Sequence, residues 1–148
     1  MAILSIETVQ LNTPTGSKEG AIRQAGELLV KGGHVTPDYV DGMLAREQTM
    51  STYIGNGVAI PHGQFENKEN IHSTGISVVQ YPEGVVWDAE EDETAYLVIG
   101  IAATADEHVG ILSNLAEAIE EEESAEELIR ATDAMFIIER LTRPSEDE

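Results

Sequence analysis

The spacing of apolar positions changes character several times along the chain. Between Ser17 and Lys31, Ile22, Ala25 and Leu29 recur at three- and four-residue intervals, which places them on one face of a helix. Ser17 is suited to cap that helix and Gly32–Gly33 to end it. A second helix is expected with Thr36 as N-cap and Pro37 in its first position, burying Val40, Met43 and Leu44 and carrying Arg46 near its end. The segment Ile3–Leu11 reads equally as strand or helix. A brief apolar run, Val58–Ile60, sits among glycines; Pro61 lacks a donor N–H and should stop a strand there.

Strands are expected at Gly75–Tyr81 and Ala95–Ala103, with a short one around Val85–Trp87. Ala95–Ala103 is apolar on both faces, the mark of a central, covered strand. A helix over Asp106–Glu120 buries Ile111, Leu112, Leu115, Ala118 and Ile119 and holds His108 in its first turn. Ser124 and Glu127 spell a capping box, and Thr132 is the candidate cap of a last helix whose Met135, Phe136 and Ile138 pack inward. Helices alternating with a few buried strands predict a two-sided α/β architecture. No repeat, linker or proline-rich hinge interrupts the chain, so residues 1–148 read as a single domain with an acidic tail at roughly 142–148.

Composition narrows the chemistry. Hydrophobic residues make up 41% of the 148, enough for a real core, while aromatics at 5% leave that core to Val, Ile, Leu and Ala. The absence of cysteine excludes disulfides, zinc–thiolate sites and a cysteine nucleophile. The N-terminal segment has no signal-peptide pattern, and the apolar stretch Tyr96–Ala103 is far shorter than the ~17–25 residues of a membrane helix, so a cytoplasmic location is expected. With 8 basic and 28 acidic residues, the net charge of −20 argues against nucleic acid as a partner. The acids cluster at Asp88–Glu93, Glu120–Glu123, Glu126–Glu127 and Glu146–Glu148. They read as solvated faces; a sharper reading is adaptation to a salt-rich, halophilic cytoplasm, because at ~1 M salt the Debye length is about 3 Å. Trp87 is assigned to the core or its edge, and His34 and His72 to structural roles.

His62, in Gly55-Asn-Gly-Val-Ala-Ile-Pro-His-Gly63, is the candidate for chemistry. A neutral imidazole is a nucleophile at cytoplasmic pH. Pro61 stiffens the chain so that the ring is presented, and Gly63 lets another molecule's backbone approach. If one ring nitrogen donates to a backbone carbonyl, the other keeps its lone pair for attack. On pattern alone, an exposed loop histidine reads the same way. A different class of function, metal binding by His62 and His108 with carboxylates, is chemically possible, although no compact ligand spacing is present.

The string GNGVAIPHG, preceded by REQTMSTYI, resembles the phosphorylation-site signature of the mannitol/fructose class of enzyme IIA proteins of the sugar phosphotransferase system. SKEGAIRQAGELLVKGGHVTPDYVDGMLARE, QYPEGVVW and LVIGIAATADEHVGILSNLAEAI extend the resemblance over nearly the whole chain. It implies an α/β sandwich, a mixed sheet flanked by helices on both faces. It implies that His62 accepts phosphate from the phosphohistidine of the carrier HPr and passes it to a cysteine of a IIB component, with a IIC membrane component taking up fructose or mannitol. His108 matches the family's second active-site histidine and Arg46 its arginine before the PHG loop. No cofactor is implied, because the donor is already an activated phosphoramidate. A regulatory IIA paralogue would use the same histidine for signalling.

The charge pattern generates a test. If the acidic surface is a salt adaptation, the melting temperature rises steeply across a potassium chloride series to ~1 M; full stability in dilute buffer counts against it.

Overall fold

The computed structural model describes residues 4–63, 69–103 and 105–142, without the side chains of residues 105–109, 112, 114 and 142. A turn of 3-10 helix at Ile6–Thr8 leads into the short strand β1 (Val9–Gln10), resolving the ambiguous N-terminal segment. Helix α1 spans Lys18–Lys31. As expected, Ser17 caps it, its hydroxyl accepting the Gly20 N–H at 3.0 Å, and Gly33 takes φ +80 just beyond its end. Helix α2 spans Asp38–Thr49 and starts one residue later than expected, with Pro37 in the cap position. The Thr36 hydroxyl is engaged elsewhere, donating to Asn70 Oδ1 at 3.1 Å. The two helices cross closely because Gly26 has no Cβ; one built there would lie 2.8 Å from Val40 Cγ2.

The remaining elements are β2 (Tyr53–Gly55), β3 (Val58–Ala59), β4 (Gly75–Asp88), β5 (Glu93–Ala102), α3 (Ala105–Ile119), α4 (Glu122–Ile129) and α5 (Ala134–Thr142). The strands form one five-stranded sheet in the order β1-β4-β5-β3-β2. β1 runs parallel to β4 and β3 parallel to β5, whereas β4–β5 and β2–β3 are antiparallel, so the sheet is mixed. Gly75–Tyr81 and Val85–Trp87, separate in the sequence reading, are one strand. Its register on β5 shifts between Gln80 and Val85, where Pro82 cannot donate and Gly84 adopts φ +81. The irregularity bends β4 without breaking it.

Alternation along the central strands builds a core on each face. Val79, Tyr81, Val98 and Ala102 pack with α1 and α2, against Ile22, Ala25, Leu29 and Met43. Ile76, Val78, Leu97, Ile99 and Ile101 pack with α3, α4 and α5, against Leu115, Leu128 and Ile137. Both faces of β5 are thus covered, and the architecture is the expected α/β sandwich of helices on both sides of a mixed sheet. Among the described residues, no helix is long and apolar enough to cross a membrane.

Three C-terminal expectations are corrected: the Ser124 cap, the Thr132 cap and the burial of Met135. Helix α4 begins at Glu122 with Glu121 in the cap position, three residues earlier than a Ser124 cap implies, so Ser124 lies within the first turn. The last helix is capped by Asp133, whose Oδ1 accepts the Met135 N–H at 2.9 Å, while Thr132 is exposed. Phe136 and Ile138 pack against the core as expected, beside the buried Ile137 and Leu141, whereas Met135 is exposed. The acidic tail beyond 142 lies outside the described residues.

His34 is structural, as read from the sequence, and closes a clasp between the α1–α2 link and the entry to β4. Its carbonyl accepts the His72 and Ser73 N–H groups at 2.7 and 3.2 Å, and its Nδ1 lies 3.0 Å from Ser73 Oγ. The ring fills space that any side chain at Gly75 would occupy, 2.2 Å from a Cβ built there. Burial lowers its pKa below the ordinary 6.5. The unfolded chain therefore binds this proton before the folded one, and stability falls as pH drops below about 6.5. Denaturant unfolding between neutral and mildly acidic pH should show that slope, and His34→Gln should flatten it.

Candidate active site

The stretch bearing His62 is held by backbone pairing. β3 lies in parallel register with the middle of β5, Val58 opposite Leu97 and Ala59 opposite Val98. Beyond β3 the pairing resumes: the Pro61 carbonyl accepts the Ile101 N–H at 3.0 Å, and His62 bridges to Ile101. Pro61 does end the regular strand, but the chain stays extended against β5. On the other side, the Ile60 N–H donates to the Thr52 carbonyl at 3.0 Å. His62 therefore sits level with the carboxyl end of β5, and α3 begins three residues after that strand ends. This end of parallel strands is where α/β sheets open a crevice for ligands.

The half-buried imidazole of His62 faces its own chain through one nitrogen. Nδ1 lies 2.8 Å from the Ile60 carbonyl oxygen. A carbonyl only accepts, so the neutral ring carries its proton on Nδ1 and its lone pair on Nε2. The conditional arrangement expected from the sequence is thus present, with the carbonyl two residues upstream.

Tyr39, which the sequence reading passed over, is the nearest support. Its buried hydroxyl donates to the Ile101 carbonyl at 2.8 Å and accepts the Gly63 N–H at 2.9 Å, joining α2 to both sides of the His62 bridge. A Cβ at Gly63 would lie 2.5 Å from Tyr39 Cε1. Gly63 is therefore required by the protein's own tyrosine, and the space assigned to an approaching partner backbone is filled. The usable signal was an aromatic residue at the start of α2, four positions before the buried Met43. Burial pushes the Tyr39 pKa up to about 12, against the lowering effect of the Gly63 hydrogen bond.

Arg46 lies on α2, seven residues and ~10 Å of helix rise beyond Tyr39. Its described contact is a hydrogen bond to the Met50 carbonyl at 2.7 Å, on the connection leading to β2, not to the His62 ring. His108 falls in the first turn of α3, as expected, at the end of the sheet where His62 stands; its side chain lies outside the described residues. Asn56 adopts φ 54 in the β2–β3 hairpin and donates from Nδ2 to the Ile119 and Glu120 carbonyls at 2.8 and 3.2 Å. It closes the far end of α3 and is structural. Among the described residues, no three histidine or carboxylate side chains converge as a metal site.

An α/β sandwich presenting a histidine with a backbone-fixed tautomer at a strand end defines a class of site, and sequence comparison supplies the family. The family model described as "Phosphoenolpyruvate-dependent sugar phosphotransferase system, EIIA 2" matches residues 2–143. The chain belongs to that family. The mannitol-specific phosphotransferase enzyme IIA component of Bacillus subtilis is 47% identical over 131 residues, 88% of this chain and 90% of that protein. The multiphosphoryl transfer protein of Salmonella typhimurium is 46% identical over 131 residues, 88% of this chain but 34% of that protein, so the chain spans about a third of that relative's length. Among solved structures, the complex of enzyme IIAMTL and phosphorylated enzyme IIBMTL from Escherichia coli contains a chain superposing with a TM-score of 0.87 at 43% identity, covering 95% of this chain and 97% of that one.

Tyr39→Phe removes both hydrogen bonds while keeping the ring, and should cost about 1–3 kcal/mol in unfolding free energy. In wild-type protein, the unfolded tyrosine ionises near its ordinary 10.0 and the folded one only at about 12, so stability falls as pH rises through that window. Equilibrium unfolding of both proteins from pH 9 upward checks this, the variant losing part of the slope.

Proposed function

We propose that this chain is the phosphocarrier IIA component of a sugar phosphotransferase system, with His62 Nε2 as the phosphoryl acceptor. The observation that carries the reading is the Nδ1–Ile60 hydrogen bond, which leaves the lone pair on the opposite nitrogen, in a chain of the EIIA 2 family. The donor is the phosphohistidine of HPr. As Nε2 bonds to phosphorus, the phosphorus–nitrogen bond of the donor breaks and its electron pair returns to the donor imidazole. Positive charge developing on the His62 ring is spread to Nδ1–H, where the Ile60 carbonyl dipole stabilises it.

Phosphoryl transfer depends mainly on alignment and on neutralising three equatorial oxygens. Arg46 supplies a permanent fork of donors for them. His108 supplies a ring donor, and the N-terminus of α3 adds a dipole favourable to an anion. In the second half-reaction, a cysteine thiolate of a IIB component attacks the phosphorus and the pair returns to Nε2. The Escherichia coli complex with phosphorylated IIBMTL and the identity to the Bacillus subtilis mannitol component support a IIB acceptor and a transport role, with mannitol or fructose moved by a IIC membrane component. The cytoplasm is the compartment that would hold both partners.

His62→Ala should abolish phosphate incorporation from phospho-HPr without unfolding the protein; equal incorporation would refute the assignment. His108→Ala should slow transfer on the order of 10²-fold while leaving His62 phosphorylatable, as loss of one preorganised donor does. Incubation of the phosphorylated chain with several IIB domains separates transport from signalling, because no transfer to any sugar-specific IIB would sink transport.

A further inference from the structure

The connection between α2 and β2 is built on a buried carboxylate. Glu47 is 6% exposed, and isolating a charge from water costs several kcal/mol unless partners surround it. Here they do. Both its oxygens lie 3.2 Å from the Thr52 N–H, and one also accepts the Thr52 hydroxyl. Trp87 Nε1 donates to Oε2 at 3.0 Å, and Lys18 Nζ stands 3.2 Å from the same oxygen while lying 5.5 Å from the Trp87 ring centroid. Four elements or their flanks, α1, α2, β2 and β4, meet at this one group.

Thr52 is the first link toward the candidate acceptor. Its N–H is held by Glu47, its carbonyl accepts the Ile60 N–H at 3.0 Å, and the Ile60 carbonyl accepts the His62 Nδ1–H at 2.8 Å. The N–H and C=O of Thr52, and those of Ile60, belong to different peptide groups. The relay therefore transmits position, with no polarisation running through a shared amide. The residue before Glu47 is Arg46, whose guanidinium binds the Met50 carbonyl inside the same connection. One anchor thus sets both the ring-orienting carbonyl and the loop that holds the arginine.

We propose that Glu47, paired with Lys18, is a positioning residue for phosphoryl transfer: through Thr52 it fixes the Ile60 carbonyl that holds the His62 tautomer. This rests on the phosphocarrier reading, and the experiment separates the two. The full chain and its Glu47→Gln and Glu47→Ala variants are compared by nitrogen-15 resonances of the unphosphorylated His62 imidazole and by single-turnover phosphorylation from phospho-HPr. Glu47→Ala should lower the rate ~10-fold or more and move the ring resonances toward mixed tautomers, as loss of alignment does. Glu47→Gln, which keeps an acceptor and the shape, should be intermediate in both, with a loss of ~3-fold. A folded Glu47→Ala protein with wild-type resonances overturns the proposal, whether its rate is unchanged or reduced. If Glu47→Ala does not fold, unchanged resonances in Glu47→Gln overturn it, and a parallel shift in resonances and rate supports it. Wild-type protein that takes no phosphate refutes the phosphocarrier reading, while the resonances still test whether Glu47 holds the ring.

Discussion

The extension of β3 along β5 is the constraint on which the site depends. Two interactions with Ile101, one from its N–H to the Pro61 carbonyl and one from the Tyr39 hydroxyl to its carbonyl, lock an irregular stretch onto the central strand of the sheet. Leu97, Val98, Ile99, Ile101 and Ala102 are fully buried, so β5 has no freedom to move relative to the two helical layers. A histidine on an extended stretch bridged to β5 inherits that rigidity. Phosphoryl transfer depends on alignment, and the sandwich supplies it to the proposed acceptor, His62, by fastening the stretch that carries it to β5.

The polar residues inside this fold share a logic. Tyr39, Glu47, Gln80 and Ser77 are each buried and each bonded through the side chain to a backbone group elsewhere in the chain, while the buried His34 ring meets the Ser73 hydroxyl. Ser77 donates to the Ala25 carbonyl of α1 at 2.7 Å and Gln80 to the Ala131 carbonyl, just past α4, at 2.7 Å, so the interior strand β4 is pinned to the layer on each face. Apolar packing alone tolerates small slides between layers, whereas a buried hydrogen bond has one satisfied geometry and a cost when it is missed.

Much of this was legible in the residues. The capped α1, the covered strand β5 and the placement of His62 followed from periodicity, from Gly and Pro, and from the resemblance of GNGVAIPHG to a phosphorylation-site signature. Boundaries failed where a polar side chain had two uses. Thr36 and Ser124 both look like caps, yet Thr36 bonds Asn70 and Ser124 lies inside a helix that starts at Glu122. Two β4 segments read as separate because Pro82 and Gly84 interrupt the alternation, although β5 continues opposite them.

The chain itself determined which positions must be buried, where the backbone must turn, and that one histidine stands beside a proline with no cysteine to share its chemistry. Those properties are local, carried by neighbours within a turn of helix or a pair of strand residues. Tertiary structure alone decided that Ile60 orients the His62 ring, that Tyr39 occupies the space beside Gly63, and that Glu47 is buried among Lys18, Thr52 and Trp87. The last two join residues 24 and up to 40 positions apart. Even the short Ile60–His62 bond holds because both residues are fastened to other elements. A hydrogen-bond partner is chosen by which groups the packed layers bring within 3 Å or so, and no pattern along the chain encodes that distance.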